Sequence, residues 1–302
     1  MDEITCWLPG GYAGRGGGEL HREVELIPLC GRDEELLAGS AKSGGSASLV
    51  TAILSRCVRR IGSIAPVTHD VARALLVADR QYLLLKLREA TFGPRVLATI
   101  PCPWPDCGKK VDIDFRIGDI PVRESETKDL VHTIELSSEA AYTGADGAPR
   151  QTISFRLPNG EDQEMIAPLL AGNEAEALAA LLARCLERDD DGRDGGAIVP
   201  LLSPAARFEI EGAMRRIAPA VELTMETDCP ECGREFSVPF DLQDFFFGEL
   251  RISRDLLYRE VHYLAYHYHW SEREIMEMPR SKRRSFIEIL ADEIEKYNDA
   301  LY

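Results

Sequence analysis

The chain has 302 residues, eight cysteines and a formal net charge of −16. That length accommodates two domains, or one domain with a large insertion, and buries roughly three quarters of the unfolded surface. The acidity argues against nucleic-acid binding, which draws its affinity mostly from Lys and Arg on phosphates. No run approaches the roughly 18 to 20 apolar residues of a membrane span, and the N-terminus lacks the order of a signal peptide, so a cytoplasmic location is expected.

In chain order, residues 1–48 read as a flexible glycine-rich region containing one short strand. Residues 1–20 and 39–48 are rich in small residues and read as arms or loops. Between them Glu23-Val24-Glu25-Leu26 alternates as a strand does, and Asp33 to Leu37 starts a short helix. The glycines from Gly10 to Gly18 are no phosphate cradle, because GK[ST] is absent and Lys42-Ser43 lacks the preceding glycine. Residues 49–92 read as two helices. Val50, Ile53, Leu54, Cys57, Val58 and Ile61 recur at helical spacing from Leu49 to Ile61, and Thr68 is placed to cap a second helix over Val71 to Glu89.

The strongest pattern is a repeat. Cys102 with Cys107, and Cys229 with Cys232, form two short cysteine pairs, each followed by glycine and a basic residue: Gly108-Lys109 and Gly233-Arg234. Eight residues beyond the second cysteine of each pair stand Phe115 and Phe240, and Ile117, Asp119 and Ile120 then align with Leu242, Asp244 and Phe245 without a gap. Alternating residues lead into and out of each pair: Val96, Ala98, Ile100 and Val111, Ile113, Phe115, then Val221, Leu223, Met225 and Phe236, Val238, Phe240. The helix Pro204 to Ile217, capped by Ser203, precedes the second pair as another precedes the first, which suggests a duplicated unit of helix, strand, knuckle and strand. Two thiolate pairs on tight turns make one tetrahedral four-cysteine Zn2+ site, with Cys102, Cys107, Cys229 and Cys232 as ligands. The alternative is a pair of knuckles that retain the fold without the metal. Four thiolates leave no open coordination position, so the metal is expected to be structural. Cys6, Cys30, Cys57 and Cys185 are scattered and read as inert thiols.

Residues 121–219, between the pairs, read as an acidic, mostly helical insert. From Asp119 to Asp194 there are 17 acidic and 7 basic side chains, a net of −10. Thr152 to Leu157 reads as a strand, and Asp162 to Leu170 and Glu174 to Glu187 as helices. Asp189-Asp190-Asp191-Gly192 is no calcium loop, since Ile198 falls where the bidentate Glu belongs, and reads as a solvated acidic loop.

Residues 246–302 read as a C-terminal aromatic helical region. Tyr258, His262, Tyr263, Tyr266, His267, His269 and Trp270 cover most faces of one helix, which marks it as buried or gripped by a partner. His262, His267 and His269 lie on no common helical face and read as core or interface imidazoles, not ligands. Ser271 with Glu274 gives a capping box, and Phe286, Ile287, Leu290, Ile294 and Tyr297 line a last helix beyond Pro279. The run Arg280, Lys282, Arg283, Arg284 reads as a solvated helix start, or as a dock for an acidic partner. The expected fold is α+β, mainly helical, with a split, duplicated zinc ribbon at 93–120 and 220–245. No nucleophile elbow, HExxH or spaced carboxylate pair marks an active site, so no enzyme is expected.

Glu260 to Glu272, then Glu274-Ile275, Met278-Pro279-Arg280 and Arg283-Arg284, resemble the C-terminal signature of the T-even-phage-type baseplate hub assembly chaperone family of contractile phage tails and phage-tail-like injection systems. Asp79-Arg80, Leu83-Leu84-Leu85, Thr91-Phe92-Gly93, Phe155-Arg156-Leu157-Pro158 with Asp162-Gln163, Phe245 to Leu250 and the two knuckles look like the same family, from about residue 70 to the end, with the glycine-rich first 20 residues outside it. The resemblance implies a non-enzymatic assembly factor that binds baseplate or hub proteins and neither nucleic acid nor membrane. Its alternatives are a permanent baseplate subunit and, less favoured, a nucleic-acid-binding zinc ribbon.

Overall fold

The computed structural model describes residues 3–14, 17–40 and 46–299. The first body begins with β1 (Ile4–Tyr12) and β2 (His21–Leu26), followed by α1 (Gly31–Ser40), α2 (Ser46–Cys57), β3 (Val58–Ile61), α3 (His69–Ala74) and α4 (Val77–Phe92). The three strands form an antiparallel sheet in the order β1-β2-β3. Cys6 and Leu8 of β1 join Val24, Leu26, Ile53, Leu54, Leu83 and Leu87 in one core.

The glycine-rich start is therefore not a flexible arm. Cys6 and Leu8 point inward while Trp7 between them is 61 % exposed, the period-2 alternation of a strand. Of the second small-residue stretch, residues 41–45, which include Lys42-Ser43, lie outside the described residues; its flanks belong to α1 and α2. The helix expected to reach Ile61 ends at Cys57, and Val58 to Ile61 pair with β2 instead. The second expected helix is split at Leu75-Leu76. Leu75 accepts a backbone hydrogen bond from Gly160 at 3.0 Å and Leu76 bridges Asn159, so contacts far along the chain interrupt it. Thr68 does cap α3, accepting from the Val71 N–H at 3.3 Å.

The first hairpin is β4 (Arg95–Pro101) and β5 (Lys110–Arg116). The insert follows: β6 (Val122–Arg123), β7 (Val131–Glu135), β8 (Tyr142–Thr143), β9 (Pro149–Arg150), β10 (Thr152–Arg156), α5 (Gly160–Leu170), α6 (Glu174–Cys185), α7 (Gly195–Ile198) and α8 (Pro204–Ile217). Five strands make it more mixed than the mostly helical reading. It holds its own core of Leu136, Tyr142, Ile153, Phe155, Leu182, Ile198 and Ile210. Next come β11 (Ala220–Val221) and the second hairpin, β12 (Thr224–Asp228) and β13 (Glu235–Pro239). Because β11 pairs with β6, the insert leaves and re-enters the first body at one place.

Asp162 anchors the insert. Its fully buried carboxylate accepts from Arg156 at 2.6 and 2.9 Å, from Arg184 at 2.7 Å and from the Asn159 backbone at 3.0 Å. Although burial opposes its ionisation, the hydrogen bonds and two guanidinium groups hold it below the ordinary carboxylate range. The Asp189–Asp191 loop is not merely solvated: Arg193 donates to Asp189 at 2.8 Å and to Asp191 at 3.0 Å.

The chain closes with α9 (Leu242–Tyr268), α10 (Glu272–Met276) and α11 (Arg280–Asp299). Leu242, Phe246, Phe247 and Leu250 enter the first core, and the rest of α9 runs along α1 and receives α10 and α11. Arg88 of α4 is the fastener, donating to both Glu249 oxygens at 2.7 and 3.0 Å and to the carbonyls of Gly93 and Arg95. The Ser271–Glu274 capping box forms as its sequence requires. Among the described residues no helix is long and apolar enough to cross a membrane.

The duplication is narrower in space than in sequence. The two hairpins and the residues after them correspond: Ile117 and Leu242 are both buried in the first core, with Ile120 and Phe245 against it. The helices before them do not, since α4 packs in the first core and α8 in that of the insert.

Candidate metal centre and partner surface

The hairpins bring Cys102, Cys107, Cys229 and Cys232 together, all four sulfurs lying within 4.8 Å of one another. Cys102 Sγ is 3.9 Å from Cys232 Sγ, and Cys107 Sγ is 3.7 Å from Cys229 Sγ. A tetrahedron with metal–sulfur bonds of about 2.3 Å has edges of about 3.8 Å, so this cage is the size such an ion needs. The first cysteine of one hairpin faces the second of the other, as a two-fold relation between them demands.

Each hairpin is built to aim amides at sulfur. The Cys102 N–H donates to the Lys109 carbonyl at 2.7 Å, and the Cys229 N–H to that of Arg234 at 3.0 Å, which closes both loops at the same point. Gly108 and Gly233 adopt φ of 58° and 68°. Among the described residues nothing lies within 4 Å of where a Cβ would stand at either, so glycine is required by the backbone conformation and not by space. That conformation turns the N–H groups of Lys109 and Arg234 onto the Cys107 and Cys232 sulfurs. The Arg234 backbone and guanidinium hold Cys232 down to about 7, whereas burial pushes Cys102 up to about 12. Over the outer face Arg234 lies 4.8 Å from the Trp104 ring and reaches Asp106 at 2.5 Å, tying one loop to the other. The remaining cysteines lie outside the cage; burial raises Cys6, Cys57 and Cys185, while Cys30 is partly exposed and its Sγ donates to Asp33 Oδ2 at 3.0 Å.

The seven aromatic positions of α9 and its exit divide. Tyr258, His262 and Tyr266 form an outward stripe one turn apart, Tyr258 being 42 % and Tyr266 69 % exposed. Tyr258 donates to Glu35 at 2.5 Å, Tyr266 stacks with His262, and the exposed His267 packs edge-on to half-buried Tyr263 at 4.7 Å and to Tyr266 at 5.0 Å. His269 has φ of 57°, the left-handed residue that ends the helix, and its N–H returns to the Ala265 carbonyl. Trp270 turns inward, stacked 4.6 Å from Tyr268 and edge-on to Phe286 at 4.8 Å, so it closes the corner between α9 and α11.

The basic run is neither a solvated helix start nor a free dock throughout. Arg280 and Arg283 are buried, both against Glu34 of α1. Nothing in the local pattern names Glu34, which lies 246 residues from Arg280.

A family described as T4 bacteriophage base plate protein matches residues 2–247, and a separate family of unknown function matches residues 250–301. No curated protein and no solved structure matches the chain. The glycine-rich start thus lies inside the base plate match, while the C-terminal run from Glu260 to Arg284 falls in the other family. With one match running unbroken from β1 through both cysteine hairpins, over four fifths of its length, the chain belongs to the T4 bacteriophage base plate protein family.

Proposed function

We propose that the chain is a non-enzymatic assembly factor acting in the cytoplasm at the base plate of a contractile phage tail or phage-tail-like injection system. It grips base plate or hub subunits through its C-terminal helices. Family membership carries the base plate role. The exposed stripe of Tyr258, His262 and Tyr266 supports the gripping surface, since rings left in water on one face of a helix are suited to a protein partner. The bound ion is zinc, held by Cys102, Cys107, Cys229 and Cys232; a donor set of thiolates alone in a closed tetrahedron suits a structural metal. With a net charge of −16 the protein is not a nucleic-acid ribbon.

A second reading, a permanent base plate subunit, is favoured by the description of the family as a base plate protein. Quantitative mass spectrometry of purified particles separates the two. An assembly factor is required for base plates to form yet is missing from the finished particle, whereas a subunit is present at a fixed integral ratio.

A further inference from the structure

The two family matches meet inside α9, one ending at residue 247 and the other starting at 250. A buried charge cluster lies where the two separately matched parts touch. Glu34, on α1 of the base plate part, is 2 % exposed. Arg283, from the C-terminal part, is fully buried, and Arg280 nearly so.

Arg283 is prepared within its own unit. Its Nε donates to Glu260 Oε2 at 3.0 Å and its Nη1 to the Met278 carbonyl at 2.8 Å, which leaves Nη2 to donate to Glu34 Oε1 at 2.7 Å. Arg280 Nη1 donates to the other Glu34 oxygen at 3.2 Å while its guanidinium lies 4.9 Å from the Phe92 ring of α4. Glu34, Glu260, Arg280 and Arg283 cancel in place. Separated, the C-terminal unit would carry one uncompensated positive charge on this face, and the base plate part the matching negative one. Close approach is built in as well: a Cβ on Gly31 would lie 3.0 Å from Met276 Sδ and 3.2 Å from Arg283 Nη1. A buried ion cluster adds little net stability over apolar packing but penalises a mismatched partner heavily, so it serves recognition better than adhesion.

We propose that residues 250–301 are a docking module that recognises a base plate domain through Glu34, in its own chain here and on a second copy of the chain when exchanged. The inference holds for a transient or a permanent base plate role alike.

Two full-length variants with different affinity tags test it. Glu34→Gln spoils the seat and spares the module; Arg283→Gln blunts the module and spares the seat. Each alone is expected to be monomeric, and mixing them is expected to give a one-to-one heterodimer by light scattering and tag capture. In each single variant, amides of α10 and α11 are expected to exchange at least about tenfold faster while those of both cysteine hairpins hold their rates. Failure of the mixed variants to pair overturns the proposal. So does exchange that rises through both parts, which makes the seat ordinary core, or that stays unchanged in α10 and α11.

Discussion

The rings of Phe115 and Phe240 meet edge to face, centroids 5.5 Å apart and planes at 86°. They hold the same place in the two hairpins, and contact between equivalent residues is what a local two-fold axis produces. Replacing either by alanine is expected to cost about 2 to 4 kcal/mol. A double-mutant cycle in denaturant is expected to return a coupling of about 0.5 to 1.5 kcal/mol beyond simple burial. Strict additivity would show that the rings do not hold the hairpins together.

Metal content tests the cage. Protein purified without chelator is expected to contain close to one zinc per chain by elemental analysis, because both pairs contribute to a single site. Cys229→Ser is expected to lower that content and the thermal midpoint together, since binding at such sites is folding energy on the order of 10 kcal/mol. Two ions per chain, or none with full stability, would refute the shared site.

Asp79 predicts a pH dependence. Burial pushes its carboxyl up to about 7, against the opposing pull of the Gly10 and Gly11 N–H groups, and among the described residues its Oδ2 finds no hydrogen-bond partner. A folded-state value above the ordinary carboxylate range means that the native state holds the proton more tightly than the unfolded chain. Its contribution to stability is complete below about pH 4 and is lost as pH rises through about 7. The thermal midpoint is expected to fall between about pH 5 and pH 8, and Asp79→Asn to flatten that fall. Equal slopes in the two proteins would discount the residue.

Tyr266 and Trp270 are expected to separate binding from folding. Tyr266→Ala removes a ring that stands mostly in water, so stability is expected to change by less than about 0.5 kcal/mol while capture of base plate subunits weakens. Trp270→Ala removes the ring stacked on Tyr268 and is expected to cost about 2 to 4 kcal/mol. Calorimetry and pull-down on the same preparations compare them, and the reverse pattern would move the gripping surface elsewhere.

Gly195 opens α7 where its own Cβ would lie 2.0 Å from the Ala183 carbonyl oxygen of α6. Backbone cannot yield as a flexible side chain does. Gly195→Ala is therefore expected to destabilise the insert by at least about 2 kcal/mol, read by chemical denaturation. A neutral result would show that α6 and α7 are free to part.

The hairpins, the cysteine cage and the capped C-terminal helices were legible because each rests on local spacing. The N-terminal strand was hidden by its glycines, although the inward Cys6 and Leu8 and outward Trp7 carried the alternation in plain view. The break at Leu75-Leu76 had no local signal, since the Gly160 N–H that claims the Leu75 carbonyl comes from another part of the chain. Glu34 was unreadable for the same reason. An acidic residue on a short helix looks solvated until two arginines fold over it.

The cysteine cage also orders events in time. Its sulfurs meet across 122 and 130 residues of chain, so neither pair alone can supply all four ligands. Closing so long a loop is entropically slow, and synthesis delivers Cys102 and Cys107 well before their counterparts. The cage therefore cannot be assembled before residue 232 has been made, and until then the first pair stands as half a site.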